Sequence, residues 1–310
     1  MNGANLLPKR NMPLYRDNGR KSMLQETYRL TNGVAIPKLG LGTWFIDGDK
    51  AAQAVRDAVE QGYRFIDTAQ AYGNERGVGE GIRTCGLGRE QIFVTSKVAA
   101  EAKTYESAAR SLDETLSKMG LEYLDLMIIH SPQPWAEFRV ENRYFAENRE
   151  VWRALEDAYA AGKVRAIGVS NFLQDDLENI LQDSRIKPMV NQILLHITNT
   201  DQALLDFCRK QGILVEAYSP IAHGEALKNP AITRMAAKYN VTPAQLCIRY
   251  VIQLGTVALP KTANPAHMRD NAAVDFAISD EDMQTLRQLK KIESYGEFDV
   301  FPVFSGKPLA

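Results

Sequence analysis

From about residue 28 onward, the chain alternates short apolar runs with longer segments whose apolar residues recur at helical spacing. This alternation constrains the fold more than any other feature, because it is the pattern of repeated βα units around a parallel sheet. Runs this short and apolar suit strands that are buried on both faces. Eight can be counted, at residues 39–43, 65–67, 92–97, 124–129, 166–170, 188–192, 214–217 and 256–259. Eight units without an intervening Gly/Ser linker or charge run predict an α/β fold, a single (β/α)8 TIM barrel.

The segments between the runs predict helices, the clearest of which cover residues 51–61, 105–119, 148–161, 201–211 and 243–254. Near the N-terminus, Thr31-Asn32-Gly33 precedes the run 34–37 and predicts a β-hairpin, since Asn-Gly supplies the positive φ of a tight turn. We expect this N-terminal β-hairpin to cap the bottom of the barrel. Residues 1–27 are expected to form a poorly ordered leader, and residues 28–310 the barrel domain.

An open, doubly wound sheet is the main architectural alternative, and it would place a glycine-rich phosphate loop after its first strand. Here that position reads Gly40-Leu41-Gly42-Thr43-Trp44-Phe45, without a third glycine at the offset of a dinucleotide-binding fingerprint. Further glycines surround and interrupt a predicted helix, and we interpret them as structural: Gly73, Gly77, Gly79 and Gly81. The closed barrel is therefore favoured.

Composition and charge exclude several classes of protein. With 310 residues, of which 45% are hydrophobic and 24% charged, the chain is typical of a globular protein with a large core. A formal net charge of −1 gives no general attraction to nucleic acid or to an anionic membrane. The cysteines have no paired spacing, and no apolar stretch approaches the ~18 residues of a membrane span. We expect a cytoplasmic, monomeric protein without nucleic-acid or membrane partners.

Four ionisable residues at or just beyond the ends of predicted strands suggest a catalytic site. Asp67, Lys97 and His130 each end an apolar run, and Tyr72 lies a short distance after Asp67. Barrel enzymes carry their chemistry at these strand ends. Because a nearby cation favours phenolate over phenol, we expect the pKa of Tyr72 to be lowered toward neutral pH, as suits a proton donor. Taken singly, Asp67 and Lys97 could be a structural ion pair and His130 a core histidine, but their joint position favours catalysis.

Ordered motifs from about Leu30 to Phe304 carry a resemblance to a known family. They are Gly42-Thr43-Trp44, Asp67-Thr68-Ala69-Gln70-Ala71-Tyr72-Gly73-Asn74-Glu75, Ser96-Lys97, Ile129-His130-Ser131-Pro132, Gly168-Val169-Ser170-Asn171-Phe172, Asn191-Gln192, Ala217-Tyr218-Ser219-Pro220 and Leu259-Pro260-Lys261-Thr262. The chain resembles the aldo-keto reductase family, in particular bacterial-type 2,5-diketo-gluconate and aldehyde reductases. The resemblance implies a β/α barrel without a Rossmann domain. It also implies NAD(P)H-dependent reduction of aldehydes and ketones to alcohols by direct hydride transfer.

The resemblance assigns a role to each of the four ionisable residues. Tyr72 resembles the general acid that protonates the carbonyl oxygen, and Lys97 the lysine that lowers the pKa of that tyrosine. Asp67 would hold Lys97 in place, and His130 would orient and polarise the substrate carbonyl. Donors that are fixed in advance suit a developing alkoxide, because they need no reorganisation during the reaction.

The resemblance also implies a cofactor site, made of Thr43, Ser170, Asn171, Gln192, Tyr218, Ser219, Ile221, Lys261, Thr262, His267 and Asn271. Ser170, Asn171 and Gln192 match the trio that binds the nicotinamide carboxamide, although Asn171 taken alone could instead cap a helix over 173–181. Tyr218 matches the aromatic residue that stacks on the nicotinamide ring. Ser219 and Ile221 begin the segment that covers the pyrophosphate, and Asn271 matches an adenine contact.

The chain departs from the family at the 2′-phosphate site. Relatives that prefer NADPH place an arginine where this chain has His267, while Lys261 and Thr262 are retained. An imidazole that is mostly neutral at pH 7 binds phosphate less well than a guanidinium, and Arg269, two places further along a helix, points elsewhere. We therefore expect NADP(H) as the cofactor, with measurable use of NAD(H).

The substrate pocket is expected to include Trp44, with Ser131 standing where some relatives have a large aromatic residue. The loop 133–145 and the tail 298–304 contribute further aromatic side chains. These side chains could line the pocket or simply fix the loops to the barrel.

Two rival functions remain open. A metal-dependent barrel hydrolase would need clustered ligands, but the four histidines are not paired in that way, and we expect no metal site. A non-catalytic, NADP-binding regulatory or structural protein could use the same barrel, since a fold does not fix a function. The intact set of Asp67, Tyr72, Lys97 and His130 argues against loss of activity.

Overall fold

The computed structural model describes residues 22–309, in which ten strands form two sheets. The strands are β1 (Thr27–Arg29), β2 (Ala35–Pro37), β3 (Leu41–Gly42), β4 (Phe65–Asp67), β5 (Phe93–Val98), β6 (Leu126–Ile129), β7 (Ile167–Ser170), β8 (Val190–Leu194), β9 (Leu214–Tyr218) and β10 (Val257–Leu259). From β3 to β10 they form one parallel sheet in chain order. The first and last of these strands meet, because the N–H of Gly42 donates to the carbonyl of Pro260 at 3.1 Å. The sheet therefore closes into the predicted (β/α)8 barrel.

Helices follow the barrel strands. They are α1 (Gly48–Glu60), α2 (Glu75–Thr84), α3 (Tyr105–Met119), α4 (Phe145–Ala160), α5 (Gln174–Asp183), α6 (Gln202–Gln211), α7 (Pro230–Lys238), α8 (Pro243–Gln253), α9 (Pro265–Ala272), α10 (Asp280–Arg287) and α11 (Pro302–Ser305). Their bounds agree with the predicted helices within a few residues. The run 188–192 becomes strand β8 only from Val190, since Pro188 has no N–H with which to extend the ladder.

The predicted N-terminal hairpin is present as the antiparallel pair β1 and β2. Ile36 of β2 is fully buried in a cluster with Phe65 and Phe93, so the hairpin closes the bottom of the barrel. Of the expected leader, residues 1–21 lie outside the described residues. Its last part belongs to the folded domain, because Met23 is buried and its N–H donates to Asp275 at 2.7 Å. The ordered domain thus begins before residue 28.

The interior of the barrel is apolar near the N-terminal hairpin and polar near the carboxyl ends of the strands. Side chains alternate along a strand, so that every second residue points inward. Near the hairpin, the inward side chains form an apolar cluster that includes Phe65, Phe93, Leu126, Ala166 and Val190. Further along the same faces, towards the carboxyl ends, the inward positions are Asp67, Lys97, His130, Ser170 and Gln192. The alternation therefore gathers the polar side chains at one mouth of the barrel.

Helix α2 packs closely on both of its neighbours, and its glycines permit this. A Cβ added at Gly79 would overlap the carbonyl of Met119 at the end of α3, and one at Gly77 would overlap the carbonyl of Gly48 in α1. The sequence-based interpretation of these glycines as structural residues is therefore confirmed. Because α2 begins just after the loop that carries Tyr72, this packing also anchors that loop.

Gly79→Ala tests the close contact. Alanine is normally the better helix former by about 1 kcal/mol, but here its methyl group would be forced into backbone atoms. We expect the free energy of unfolding to fall by roughly 1–3 kcal/mol, measured by urea denaturation. Arg76→Ala, at an exposed position of the same helix, is the control and should have little effect. An unchanged or increased stability of Gly79→Ala would contradict this packing.

Candidate active site

A cavity of about 330 Å³ opens at the carboxyl ends of the barrel strands. Its volume lies within the roughly 300–1,000 Å³ of typical ligand pockets. Asp67, Tyr72, His130 and Gln192 all border it. The remaining wall is largely aromatic and is contributed by Trp44, Phe45, Trp135, Tyr218, Phe298 and Phe301. Residues from distant parts of the sequence therefore meet at one concave, mostly apolar site.

A buried ion pair lies at the bottom of this cavity. The Nζ atom of Lys97 is 2.8 and 2.9 Å from the two carboxylate oxygens of Asp67 and 2.8 Å from the carbonyl of Thr68. Lys97 is 1% exposed and Asp67 4% exposed. Burial lowers the pKa of Lys97, but the Asp67 carboxylate and Tyr72 raise it by more, so the net shift is upward and the ammonium stays charged.

Tyr72 completes the coordination of the Lys97 ammonium, which donates to the phenol oxygen at 3.2 Å. The ammonium then has acceptors for all of its N–H groups, and the hydrogen bonds among residues 22–309 leave the Tyr72 O–H free to donate to a ligand. Burial raises the pKa of Tyr72, and the opposing effect of Lys97 is smaller. The expectation of a lowered pKa is therefore wrong, because desolvation outweighs the cation. The phenol stays protonated at neutral pH, as a proton donor requires.

The turn that carries Tyr72 is held by a neighbouring amide that sequence reasoning did not single out. The side chain of Gln70 donates to the carbonyl of Ser111 at 2.7 Å and to the hydroxyl of Thr115 at 2.8 Å. Its carbonyl oxygen accepts the N–H of Ala99 at 3.0 Å. These bonds tie the turn to α3 and to the segment after β5, so the position of Tyr72 relative to Lys97 is fixed from both sides. The sequence did contain a signal for this role, because Gln70 is a polar residue two positions before the candidate acid and within the same motif.

His130 faces Tyr72 across the cavity, with the two ring centroids 5.7 Å apart. The histidine is 8% exposed, and its Nδ1 atom has no hydrogen-bond partner among residues 22–309. Burial, together with the nearby Lys97 ammonium, holds the pKa of His130 well below its usual range. The imidazole is therefore neutral at physiological pH. It can offer one N–H to a ligand without adding a second positive charge to the site.

The three residues expected to bind a carboxamide lie side by side. Ser170 ends β7, Asn171 follows it, and Gln192 lies on β8. The Ser170 hydroxyl donates to the Gln192 carbonyl at 2.8 Å, and Asn171 Nδ2 donates to the His130 carbonyl at 3.1 Å. Tyr218 donates its hydroxyl to Asn171 Oδ1 at 2.7 Å. Asn171 does not cap α5, because that helix has Leu173 at its N-cap and Asp176 accepts the Leu173 N–H. The alternative reading of Asn171 as a helix cap is wrong.

Comparison with known proteins assigns the chain to a family. Residues 38–291 match the model of the Aldo/keto reductase family. Glyoxal reductase of Bacillus subtilis (strain 168) is 42% identical over 275 residues, which cover 88% of this chain and 96% of that protein. The chain belongs to the aldo/keto reductase family.

The names of the relatives of this aldo/keto reductase indicate different substrates. Morphine 6-dehydrogenase of Pseudomonas putida is 39% identical over 274 residues, covering 84% of this chain and 90% of that protein. The crystal structure of an aldo/keto reductase from Brucella melitensis is 37% identical, with a TM-score of 0.79, and covers 85% of this chain and 98% of that one. The chain is thus an oxidoreductase of a family whose members differ in substrate.

The remaining cofactor candidates of this aldo/keto reductase divide into two groups. Ser219, Ile221 and Lys261 line the cavity together with the trio and Tyr218. Four others do not line it, namely Thr43, Thr262, His267 and Asn271. Thr43 is fully buried and donates to the carbonyl of Asp67 at 2.9 Å, so its side chain supports the strand end. His267 is exposed on α9, beyond the rim.

The two substrate candidates also differ. Trp44 lines the cavity and packs 5.0 Å from the ring of Phe301 in the C-terminal tail. Ser131 is fully buried outside the cavity lining, and its hydroxyl accepts the N–H of Gln133. It faces away because consecutive residues at a strand end point in opposite directions, and His130 takes the cavity side. The tail is fixed over the cavity by a hydrogen bond of 2.9 Å from Leu309 N–H to the Trp135 carbonyl.

Among residues 22–309, no group of three or more His, Cys, Asp or Glu residues is arranged to hold a metal ion. No helix in this range has the length and apolar character needed to cross a membrane.

Lys97→Met tests the energetic weight of the ion pair. The change leaves Asp67 buried without its cation, so we expect the free energy of unfolding at pH 7 to fall by about 3–5 kcal/mol in urea denaturation. Lys163→Met, which removes an ion pair between Lys163 and Asp113 at the surface, should cost less than about 1 kcal/mol.

A double variant supplies the decisive comparison. Lys97→Met combined with Asp67→Leu removes both charges and should recover much of the stability lost in Lys97→Met, because no unpaired buried charge remains. Asp67→Leu alone is measured as well. If the losses of stability in Lys97→Met and in Asp67→Leu simply add in the double variant, the two side chains are not coupled and this description of the site is wrong.

Proposed function

We propose that the protein reduces aldehydes and ketones to alcohols with NADPH, and that Tyr72 gives the proton to the carbonyl oxygen. The contact between Lys97 Nζ and the Tyr72 hydroxyl, at 3.2 Å beside the ring of His130, is the observation that carries this proposal. It supports a protonated phenol with a free O–H, held at the wall of a cavity that a substrate can enter. General acid catalysis needs this combination of protonation state and fixed position.

The residues at the cavity fit a nicotinamide cofactor. Gln192 borders the cavity, and none of the hydrogen bonds among residues 22–309 uses its side-chain carbonyl oxygen, so an acceptor is left for a carboxamide N–H. The ring of Tyr218 offers an aromatic face, and Lys261 a cation for phosphate. When bound, the reduced cofactor supplies the hydride.

The chain itself would supply orientation and the proton. His130, as a neutral imidazole, would donate its N–H to the carbonyl oxygen and so place that oxygen near the Tyr72 O–H. Lys97 would stabilise the phenolate that remains after proton transfer, because its ammonium already contacts the phenol oxygen. Asp67 would keep the ammonium in position throughout. Aromatic residues around the cavity would exclude water.

The lining of the cavity supports substrates with apolar or aromatic substituents. Trp44, Phe45 and Trp135 border it from one side, and the tail residues Phe298 and Phe301 from another. Asp67 and Lys261 are its charged lining residues, and Asp67 is already paired. Among residues 22–309 the one lysine or arginine in the lining is Lys261, which is assigned to the cofactor phosphate, so a substrate carboxylate or phosphate would lack a cationic partner there. Neutral aldehydes and ketones are therefore the proposed class, with NADPH preferred and NADH also used.

Tyr72→Phe tests the proposed acid. Removing the hydroxyl should lower kcat for NADPH oxidation with an aromatic aldehyde by about 10²-fold or more, because general acids contribute roughly 10²–10⁴-fold. The dissociation constant for NADPH, measured by quenching of tryptophan fluorescence, should change little. Tyr105→Phe, at the first residue of α3 and outside the cavity lining, also removes a half-buried hydroxyl; it is the matched control and should keep full activity. A fully active Tyr72→Phe variant would disprove the assignment, and a wild type that binds NADPH but reduces no carbonyl would support the non-catalytic alternative.

His267→Arg tests the coenzyme preference. A guanidinium adds a fixed charge and paired donors for the 2′-phosphate, so kcat/KM for NADPH should rise about fivefold or more, while kcat/KM for NADH should stay constant. Arg269→Ala serves as the control and should change neither value. A wild-type ratio of kcat/KM for NADPH over NADH below one would overturn the proposed preference.

A further inference from the structure

Glu216 is a fully buried carboxyl group in the polar layer of the barrel. It lies on β9 two residues before Tyr218, so both side chains point to the same face of the strand. Its Oε2 atom accepts a hydrogen bond of 2.7 Å from Gln192 Nε2. Its Oε1 atom has no partner among residues 22–309. A buried carboxyl without a cationic partner costs folding free energy, which suggests that it is retained for function.

Glu216 is connected to the carboxamide trio through Gln192. Both N–H groups of the Gln192 amide are used, one on Asp67 Oδ1 at 2.8 Å and one on Glu216 Oε2. Because the ionised Asp67 carboxylate can only accept hydrogen bonds, the amide nitrogen must face it and the adjacent Glu216 Oε2. The amide oxygen is thereby oriented away from them, as an acceptor for a ligand. Glu216 is therefore hydrogen-bonded directly to a proposed cofactor-binding residue, and a change in its charge acts on that residue through this bond.

The surroundings of Glu216 set its charge state. The charged groups that face it are Asp67 on β4 and Lys97 on β5, while β8 contributes the neutral Gln192 and the flanking Val257 of β10 is apolar. Burial and the Asp67 carboxylate raise the pKa of Glu216 to about 8, against smaller opposing effects of Gln192 and Lys97. At neutral pH the group is mostly a neutral acid, and it ionises in a mildly alkaline range that binding experiments can reach.

We propose that Glu216 couples proton binding to the oxidation state of the bound cofactor. This inference rests on the proposed function. The oxidised nicotinamide ring carries a positive charge and the reduced ring does not, so ionised Glu216 favours the oxidised form and neutral Glu216 the reduced form. The low dielectric of the barrel interior strengthens this difference. By linkage, binding of NADP⁺ releases the Glu216 proton to solvent, and binding of NADPH does not.

The ratio of two dissociation constants isolates this effect. The 2′-phosphate and the residues around it contribute equally to NADPH and NADP⁺ binding, so their contributions cancel in the ratio. Tyr72 does not cancel, because its ionisation also responds to the charge of the ring. A Tyr72→Phe background therefore separates the phenol from Glu216.

The experiment measures Kd for NADP⁺ and for NADPH by tryptophan fluorescence quenching at pH 6.5 and 9.5. In the wild type we expect Kd(NADP⁺)/Kd(NADPH) to fall about fivefold or more between these values, since coupling between sites is typically about 5–150-fold. Tyr72→Phe should keep most of this fall, and Tyr72→Phe combined with Glu216→Gln should lose it. A ratio that stays constant in the wild type, or that falls equally in the Glu216→Gln background, would overturn the proposal.

A second measurement does not depend on the folding of the Glu216→Gln variant. Calorimetric titration of Tyr72→Phe at pH 8, in buffers of different ionisation enthalpy, counts the protons released on binding. A fraction of a proton should be released with NADP⁺ and almost none with NADPH, and equal counts would overturn the proposal. If neither cofactor binds, the proposed function itself fails, whereas binding without differential proton release removes only the role of Glu216.

Discussion

The buried ion pair of Lys97 and Asp67 is the interaction on which the rest of the site depends. An ammonium and a carboxylate are stable in this interior only because each satisfies the other and because Thr68 and Tyr72 accept the remaining N–H groups. The same contacts hold the phenol oxygen of Tyr72 in one place beside the cavity. The pair therefore fixes the position of the charges that act on the other groups at the mouth of the barrel.

Around this one charged pair, burial drives the neighbouring titratable groups to their neutral forms. It raises the pKa of Tyr72 and of Glu216 and lowers that of His130. The site at neutral pH thus contains a phenol, an acid and an imidazole rather than a set of competing charges. Such a site can offer hydrogen-bond donors to an oxygen atom that develops negative charge.

Much of this could be predicted from the sequence. The alternation of strands and helices predicted the barrel, and the strand-end positions of Asp67, Lys97 and His130 predicted that they would meet. The direction of the shift in the pKa of Tyr72 could not be predicted, because it depends on burial among residues from other parts of the chain, such as Trp44 and His130. The motifs of Thr43 and Ser131 predict contacts with a ligand, but the side chains of these residues do not line the cavity.

Glu216 shows a different limit of sequence reasoning. A charged residue inside an otherwise apolar strand, two positions before Tyr218, was a visible signal that it faces the polar layer. Its partners could not be identified from sequence, since Gln192 and Asp67 come from other strands. The closed barrel alone brings these residues together, and the same closure explains why short strands from the whole chain form a single site.

The pH dependence of single-turnover reduction tests the central claim most directly. With saturating NADPH and an aromatic aldehyde, a phenol held beside Lys97 predicts a rate that is constant through neutral pH and declines only where Tyr72 ionises in the alkaline range. The oxidation of the alcohol should show the opposite trend, rising with pH as phenolate forms. A reduction rate that already declines between about pH 5 and 7, as an imidazolium donor would require, would assign the proton to His130 and contradict this account.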